Sequence, residues 1–176
     1  MSEQTAPFDP DDLAVPDEPL PVSVLTGFLG SGKTTLLRRL LAHPAMDETA
    51  VIINEFGEIG LDHLLVEKAD EDTVLLNSGC LCCSVRGDLV ETMRRLFKQR
   101  VRKEVPPFLR LVIETTGLAD PAPILHTLMN DPLLSARYRL DGVIATGDAA
   151  TGAATLDRQA ESVKQAAVAD RLLLTK

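Results

Sequence analysis

The sequence predicts an α/β fold in which a doubly wound, mostly parallel sheet carries helices on both faces. Two observations predict this class: short apolar runs rich in β-branched residues recur along the chain, and stretches with helical spacing lie between them. Strands that alternate with helices form parallel sheets, because each helix returns the chain to the edge where the next strand begins. With 176 residues, 45% of them hydrophobic, the chain can bury one core.

The individual elements follow from these patterns. Six apolar runs are expected to be buried parallel strands, because strands covered on both faces are apolar on both faces. They span residues 22–25, 50–53, 74–76, 109–113, 143–145 and 172–174. Helical spacing predicts helices over residues 34–41, 89–101, 121–128 and 155–168. Asp120 and Pro121 form a good start for the third helix, since Asp caps a helix and Pro fits its first turn.

Residues 1–20 have a different composition from the rest. They hold six acidic residues, four prolines and no Lys or Arg, and they supply −6 of the net charge of −8. Such a segment buries too little apolar surface to offset the entropy lost on ordering. We expect an acidic, Pro-rich mobile tail over 1–20 and one folded domain over 21–176.

Charge and hydropathy also indicate the cellular location of the protein and the kinds of partner it binds. The acidic start lacks the basic and apolar regions of a signal peptide, and no run approaches the 18 apolar residues of a membrane span. A cytoplasmic protein without membrane contact is expected. The net charge does not favour nucleic acid, and the basic stretch 94–103 is better interpreted as a solvated helix face.

A glycine-rich segment between the first strand and the first helix predicts a phosphate-binding loop, and with it a P-loop NTPase fold. Its backbone N–H groups can curl inward around a triphosphate beside the positive end of the helix. Lys33 is expected to reach the β and γ phosphates, and Thr34 to ligate Mg²⁺ with Thr35 next to it. The predicted nucleotide-binding residues here are Gly27, Phe28, Leu29, Gly30, Ser31, Gly32, Lys33, Thr34 and Thr35.

A second acidic position is needed near the phosphates, and Glu114 supplies it directly after the strand 109–113. Ligands of open α/β sheets bind beyond the carboxyl ends of the strands, so Glu114 is expected to meet the phosphate-binding loop. There it would share Mg²⁺ with Thr34, and the Gly117 N–H would lie near the γ phosphate. Lys33 and Glu114 are the catalytic candidates, and the segment from Asn54 is the candidate switch loop.

All three cysteines of the chain fall within four residues, at Cys80, Cys82 and Cys83. In a reducing compartment such a cluster indicates metal or redox chemistry rather than a disulfide. We expect the cysteines to form a tight turn just before a helix start near residues 84–88. This turn is expected to bind Zn²⁺ or another soft to borderline cation through an open site. A redox-active pair of Cys82 and Cys83, or inert buried cysteines, are the alternatives. Glu55 or His63 would be the fourth ligand.

Together these motifs resemble the CobW-type metallochaperone GTPases, relatives of the nickel-inserting GTPases of urease and hydrogenase maturation. The likeness runs through VLTGFLGSGKTT at 24–35, NEFG at 54–57, GCLCC at 79–83 and ETTGLADP at 114–121. It implies GTP hydrolysis coupled to handling of Zn²⁺ or Co²⁺, delivery to a client metalloprotein, and metal ligation by the three cysteines. A homodimer is a further expectation.

Two features depart from this likeness. The family has a guanine-reading Asn/Thr-Lys-x-Asp after the last strand, and here Thr175 and Lys176 are followed by no Asp. The expected domain is therefore cut at the guanine-specificity loop and lacks the family's C-terminal domain. Relatives also carry a more apolar strand where this chain has Ala145-Thr146-Gly147-Asp148.

The resemblance favours a GTPase that loads or releases metal according to its nucleotide state. A nucleotide-gated metal-binding regulatory module without significant turnover is the main alternative. A P-loop phosphotransferase would need a substrate lid and an acceptor-binding acid–base pair, which the sequence does not indicate.

Overall fold

The computed structural model describes residues 15–54, 66–70, 73–76, 81–84 and 88–176. Within these ranges the chain forms one sheet with the strand order β3-β4-β5-β2-β6-β1-β7-β8. The strands are β1 (Leu20–Gly27), β2 (Thr49–Asn54), β3 (Val66–Asp70), β4 (Thr73–Leu76), β5 (Leu81–Ser84), β6 (Arg110–Thr115), β7 (Tyr138–Asp148) and β8 (Arg171–Thr175). The helices are α1 (Lys33–Leu41), α2 (Leu89–Val101), α3 (Ala122–Asn130), α4 (Pro132–Ser135), α5 (Gly152–Arg158) and α6 (Ala160–Ala167), with a 3₁₀ turn at Pro44–Met46.

The strands from β5 through β2, β6, β1 and β7 to β8 pair in parallel, which confirms the predicted α/β class. The prediction was wrong for residues 74–76, because β4 runs antiparallel to both β3 and β5. Two residues separate β3 from β4, and four separate β4 from β5. Connections this short permit only antiparallel pairing, since a parallel crossover needs a dozen residues or more.

The core lies on both faces of the central strands. On one face Val24, Ile52 and Ile113 pack with Met93 and Leu96 of α2 and with α3. On the opposite face Leu37 and Leu41 of α1 cover a second apolar cluster, completed by Leu25, Val51, Ile53 and Val112. Consecutive strand residues are therefore buried on opposite faces, as expected for strands in the middle of a doubly wound sheet.

Three local expectations need correction. The run 172–174 forms β8 but is exposed, with Leu174 at 71%, because β8 is an edge strand. The helix expected over 155–168 is two helices, divided where Gln159 takes an extended backbone conformation. Cys82 and Cys83 lie in the short strand β5 rather than in a turn. The helix that follows has the predicted bounds, Leu89–Val101, with Asp88 as its cap.

Other element boundaries are close to the predicted ones. β1 begins at Leu20, which is buried, so the sheet starts at the last residue of the expected tail. The third helix begins at Ala122 with Pro121 as its N-cap residue, one residue later than predicted, and the Ala122 N–H donates to the Asp120 carboxylate at 3.0 Å. In the part of the chain that the structure describes, no helix is both long and apolar enough to span a membrane.

Candidate phosphate and metal site

The loop between β1 and α1 contains three glycines with positive φ, of which Gly30 has φ +73°. Gly27 has φ +142° and Gly32 has φ +87°, both in regions that side chains disfavour. A Cβ on Gly27 would lie 2.5 Å from the Thr146 carbonyl oxygen and 2.7 Å from Ser31 Oγ, so no larger residue fits. Gly32 is the N-cap of α1 and leaves the first N–H groups of that helix free of a capping side chain. This geometry suits an anion, because backbone N–H groups and the helix dipole both favour negative charge.

Lys33 folds back over this loop. Its Nζ donates to the Gly27 carbonyl at 2.8 Å and to the Phe28 carbonyl at 3.3 Å, and the side chain is buried at 9% exposure. The ammonium is thereby held at the mouth of the loop, close to where the N–H groups of α1 begin. Contact of this ammonium with the phosphates of a nucleotide stays a prediction.

Glu114 and Thr34 meet, as the strand-end argument predicts. The Thr34 hydroxyl donates to Glu114 Oε1 at 2.8 Å, and Glu114 is 4% exposed. The parallel register brings them together, because Glu114 lies opposite Leu25 of β1 just before the loop begins. A hydroxyl and a carboxylate oxygen at this distance form the hard donor pair that Mg²⁺ prefers. Thr35, the next residue of α1, is exposed.

The end of β8 closes the other side of the loop. The Thr175 hydroxyl donates to the Ser31 carbonyl at 2.7 Å and to the Gly147 carbonyl at 3.2 Å. Lys176 Nζ donates to the Gly30 carbonyl at 2.7 Å and to Asp148 Oδ2 at 3.0 Å. Both predicted residues of the base-reading motif therefore contact the phosphate-binding loop itself.

Gly117 lies against the same loop from the β6 side. A Cβ there would come within 2.9 Å of Leu29 Cα and 2.8 Å of its backbone nitrogen, so only glycine allows this approach. Leu29 itself is 56% exposed. The structure thus brings the predicted residues of the loop together with Glu114, Gly117, Thr175 and Lys176 at the C-terminal ends of the parallel strands.

The remaining predicted residues are only partly covered by the structure. Cys80, Glu55 and His63 lie outside the described residues, as do the side chains of Asn54, Cys82 and Cys83. The backbone register is described: Cys82 lies opposite Val51 and Cys83 opposite Ile52 of β2. Asn54, at the end of β2, is in register with Thr115, directly after Glu114.

Two contacts of the site were not predicted from the sequence. The Thr146 hydroxyl pairs with Ser31 Oγ at 2.6 Å, and Asp148 holds Lys176. Both residues belong to the segment 145–148 that departs from the expected apolar strand, and this departure was the available signal. The Thr146 side chain joins β7 to the phosphate-binding loop, at a residue 115 positions away in sequence, and the Asp148 side chain joins β7 to Lys176.

Asp148 accepts hydrogen bonds from the Lys176 ammonium and from two backbone N–H groups. Its hydrogen bond from Lys176, with further bonds from the Ala150 and Thr151 N–H groups, holds the pKa of its carboxyl below the ordinary 3.8. A carboxyl whose pKa is lower in the folded state stabilises the protein above its ordinary pKa. This contribution disappears as the pH falls through the lower, folded-state pKa.

We therefore expect Asp148→Asn to lower the free energy of unfolding at pH 6, and we expect this difference to shrink as the pH falls below the ordinary carboxyl pKa of 3.8. Urea denaturation of both proteins between pH 2.5 and pH 6 checks this convergence. The exposed Asp157 of α5 provides the control, because Asp157→Asn removes one negative charge without removing these bonds. A stability difference that persists unchanged to pH 2.5 would contradict the ionic role of Asp148.

Comparison with known proteins relates this arrangement to a nucleotide-binding family. The family model described as "CobW/HypB/UreG, nucleotide-binding domain" matches residues 21–176. The zinc chaperone YjiA of Escherichia coli (strain K12) is 42% identical over 158 residues, which are 90% of this chain and 49% of YjiA. Zinc-regulated GTPase metalloprotein activator 1 of Schizosaccharomyces pombe is 38% identical over 137 residues, 74% of this chain and 32% of that protein.

A solved structure shares the fold. The crystal structure of Zn(II)-bound YjiA GTPase from E. coli superposes with a TM-score of 0.77 at 40% identity, over 90% of this chain and 50% of that chain. The chain spans about half the length of YjiA and a smaller share of the fission-yeast activator.

Proposed function

Because the chain belongs to the CobW/HypB/UreG family of nucleotide-binding domains, we propose that it binds and hydrolyses GTP and that its nucleotide state controls how tightly it holds Zn²⁺. The metal is the cargo, destined for a client metalloprotein, and Co²⁺ is an alternative cargo. The observation that carries the nucleotide part is the meeting of Lys33, Thr34 and Glu114 around one glycine-rich loop.

The phosphate part rests on charge and on hydrogen-bond donors. Lys33 exchanges its bonds to the Gly27 and Phe28 carbonyls for phosphate oxygens, and a charge-assisted bond to phosphate is stronger than a bond to a neutral carbonyl. Thr34 and Glu114 supply hydroxyl and carboxylate oxygens for Mg²⁺. When bound, Mg²⁺ neutralises charge on the β and γ phosphates.

The base is proposed to lie beside Thr175 and Lys176, since both contact the loop that would hold its phosphates. The choice of GTP over other nucleotides is drawn from relatives that carry GTPase in their names. Lys176, held by Asp148, presents its aliphatic stem and charge at this edge.

Coupling to metal is supported by strand register. Ser84, the residue after Cys83, lies opposite Ile53 of β2, and Ile53 lies opposite Glu114 of β6. Ser84, Ile53 and Glu114 therefore lie side by side on the neighbouring strands β5, β2 and β6. At a strand spacing of about 4.8 Å, the β5 and β6 backbones are about 10 Å apart. β2 is the one strand between β6 and β5, so a change at Glu114 that displaces β2 would also displace the cysteine-bearing strand β5.

The test is the zinc affinity of the chain in two nucleotide states. Competition with a chromogenic chelator is expected to give about tenfold tighter Zn²⁺ binding with Mg²⁺ and a GTP analogue than with Mg²⁺ and GDP. Cys82→Ser should weaken binding about 30-fold in the tight state, because a thiolate ligand is lost. The same titration with Co²⁺ tests the alternative cargo.

Lys33→Met is the matched control for this experiment, since it leaves the cysteines intact and removes the cation at the phosphates. Its zinc affinity should no longer depend on the nucleotide. Equal zinc affinities for the wild type in both nucleotide states would contradict the coupling. Coupling without release of phosphate from GTP would instead indicate a nucleotide-gated regulatory module.

A further inference from the structure

The loop from Thr116 to Asp120, called here the Gly117 loop, is held from two sides. On one side Gly117 packs directly against Leu29 of the phosphate-binding loop. On the other side it meets α6, a helix that lies close in sequence to β8 but 48 residues from Gly117. The contacts on this second side come from neighbouring residues of α6.

Gln165 makes the inner contacts. Its Nε2 donates to the Gly117 carbonyl at 3.1 Å and to the Ala119 carbonyl at 3.0 Å, and the residue is 1% exposed. Two carbonyl acceptors require the NH₂ end of the amide on this side, so the chemistry fixes its orientation. Lys164 adds an outer contact, an exposed ion pair with Asp120 at 2.8 Å.

Packing alone does not explain an amide at this position. An apolar side chain of the same length would fill the space, whereas burial of a glutamine costs free energy unless its polar atoms are bonded. Both amide hydrogens are used on the Gly117 loop, and Oε1 has no hydrogen-bond partner among the described residues. The side chain therefore fixes the loop at the cost of one unsatisfied acceptor.

The hydrogen bonds within the Gly117 loop do not fix its position, which therefore depends on the contacts with Gln165 and Lys164. The Ala119 N–H donates to the Thr116 carbonyl at 3.1 Å, and the Leu118 N–H to the Thr116 hydroxyl at 3.3 Å. These bonds set the turn but join it neither to the phosphate-binding loop nor to α6. Leu118 is 56% exposed and contributes little to anchoring.

We propose that Gln165 is a positioning residue, which holds the Gly117 loop against the phosphate-binding loop so that the Gly117 amide is in place for the γ phosphate of a bound triphosphate. The γ-phosphate role of Gly117 rests on the proposed function. The holding of the loop by α6 does not.

The test compares Gln165→Met with Tyr138→Phe. Tyr138 OH donates to the Met93 carbonyl at 3.0 Å, also buried, at the start of β7 and away from the phosphate-binding loop. Each variant removes side-chain bonds to backbone carbonyls while nearly preserving shape. Hydrogen exchange of the backbone amides in 115–121, without nucleotide, should become about tenfold faster in Gln165→Met and stay unchanged in Tyr138→Phe.

Nucleotide affinity gives the second readout. Gln165→Met should bind a GTP analogue about five- to tenfold more weakly and GDP within twofold of the wild type, since only the triphosphate has a γ phosphate. Gln165→Asn withdraws the amide by one methylene and should change exchange and affinity in the same direction. It serves as the second variant in case Gln165→Met does not fold.

The outcomes separate the two claims. Unchanged exchange in 115–121 would overturn the positioning role, whatever the nucleotide affinities are. Equal weakening of the GTP analogue and of GDP would also overturn it, because that is the result of a general loss of structure. If the wild type binds no GTP, the proposed function fails, and the exchange comparison still decides whether Gln165 holds the loop.

Discussion

Replacement of Lys33 by methionine is expected to lower the affinity for GTP by about 100- to 1000-fold. The ammonium is buried and fixed by the Gly27 and Phe28 carbonyls at the mouth of the phosphate-binding loop. A cation there forms about two charge-assisted bonds to phosphate, each worth about 1.5–3 kcal/mol. Every 1.4 kcal/mol lost is about a tenfold loss in affinity, so these two bonds correspond to about 100- to 20,000-fold. The expected loss lies at the lower end of that span, because the ammonium gives up its bonds to the two carbonyls when it binds phosphate. Calorimetric titration with GTP and with GDP measures it.

Methionine is chosen because its side chain is about as long as the apolar stem of Lys33 and carries no charge. The control is Lys98→Met in α2, which removes one positive charge from an exposed position away from the site. The control should bind GTP within twofold of the wild type. A loss below about threefold in Lys33→Met would show that the backbone N–H groups alone hold the phosphates.

The sequence was sufficient to predict this loop because its chemistry is local. Glycines with positive φ, a following lysine and an apolar strand before them are all contained in about twelve residues. Glu114 was also predictable, although it is 80 residues from Thr34. Parallel strands end at one edge of a sheet, so a carboxylate after a buried strand must lie near the loop after its neighbour.

Features that depend on partners distant in sequence were not predictable in the same way. The apolar run of β8 has the composition of a central strand, yet its place at the edge leaves Leu172 and Leu174 exposed. Hydrophobicity reports what a strand can bury and not which neighbours it has. Likewise Gln165 has no sequence pattern that indicates its bonds to the Gly117 loop, because they depend on the path of α6 across the sheet.

The structure also revises how the cysteine segment is understood. A turn was expected because three thiols so close together suggest one local chelate. Cys82 and Cys83 are instead strand residues of β5, with β2 on one side and β4 on the other. An open site completed from elsewhere is still the proposal, and its coupling to nucleotide then depends on the sheet rather than on a free loop.

Glu114→Gln is expected to reduce the rate of GTP hydrolysis by about 100- to 1000-fold and to leave GDP affinity in the absence of Mg²⁺ within threefold of the wild type. Gln retains the shape of the side chain and an oxygen that can accept the Thr34 hydroxyl bond, so the fold and the phosphate-binding loop should persist. What is lost is one buried negative charge, and removal of a single preorganised electrostatic group at a reacting centre has effects of this size.

Steady-state hydrolysis measured over a range of Mg²⁺ concentrations separates two explanations for that loss. If Glu114 acts by holding Mg²⁺, the variant should need a higher Mg²⁺ concentration for half-maximal rate. Glu91→Gln, an exposed first-turn residue of α2, controls for the change in net charge and should leave the Mg²⁺ dependence unaltered. A variant with the wild-type rate and the wild-type Mg²⁺ dependence would leave the Thr34–Glu114 bond as a structural contact only.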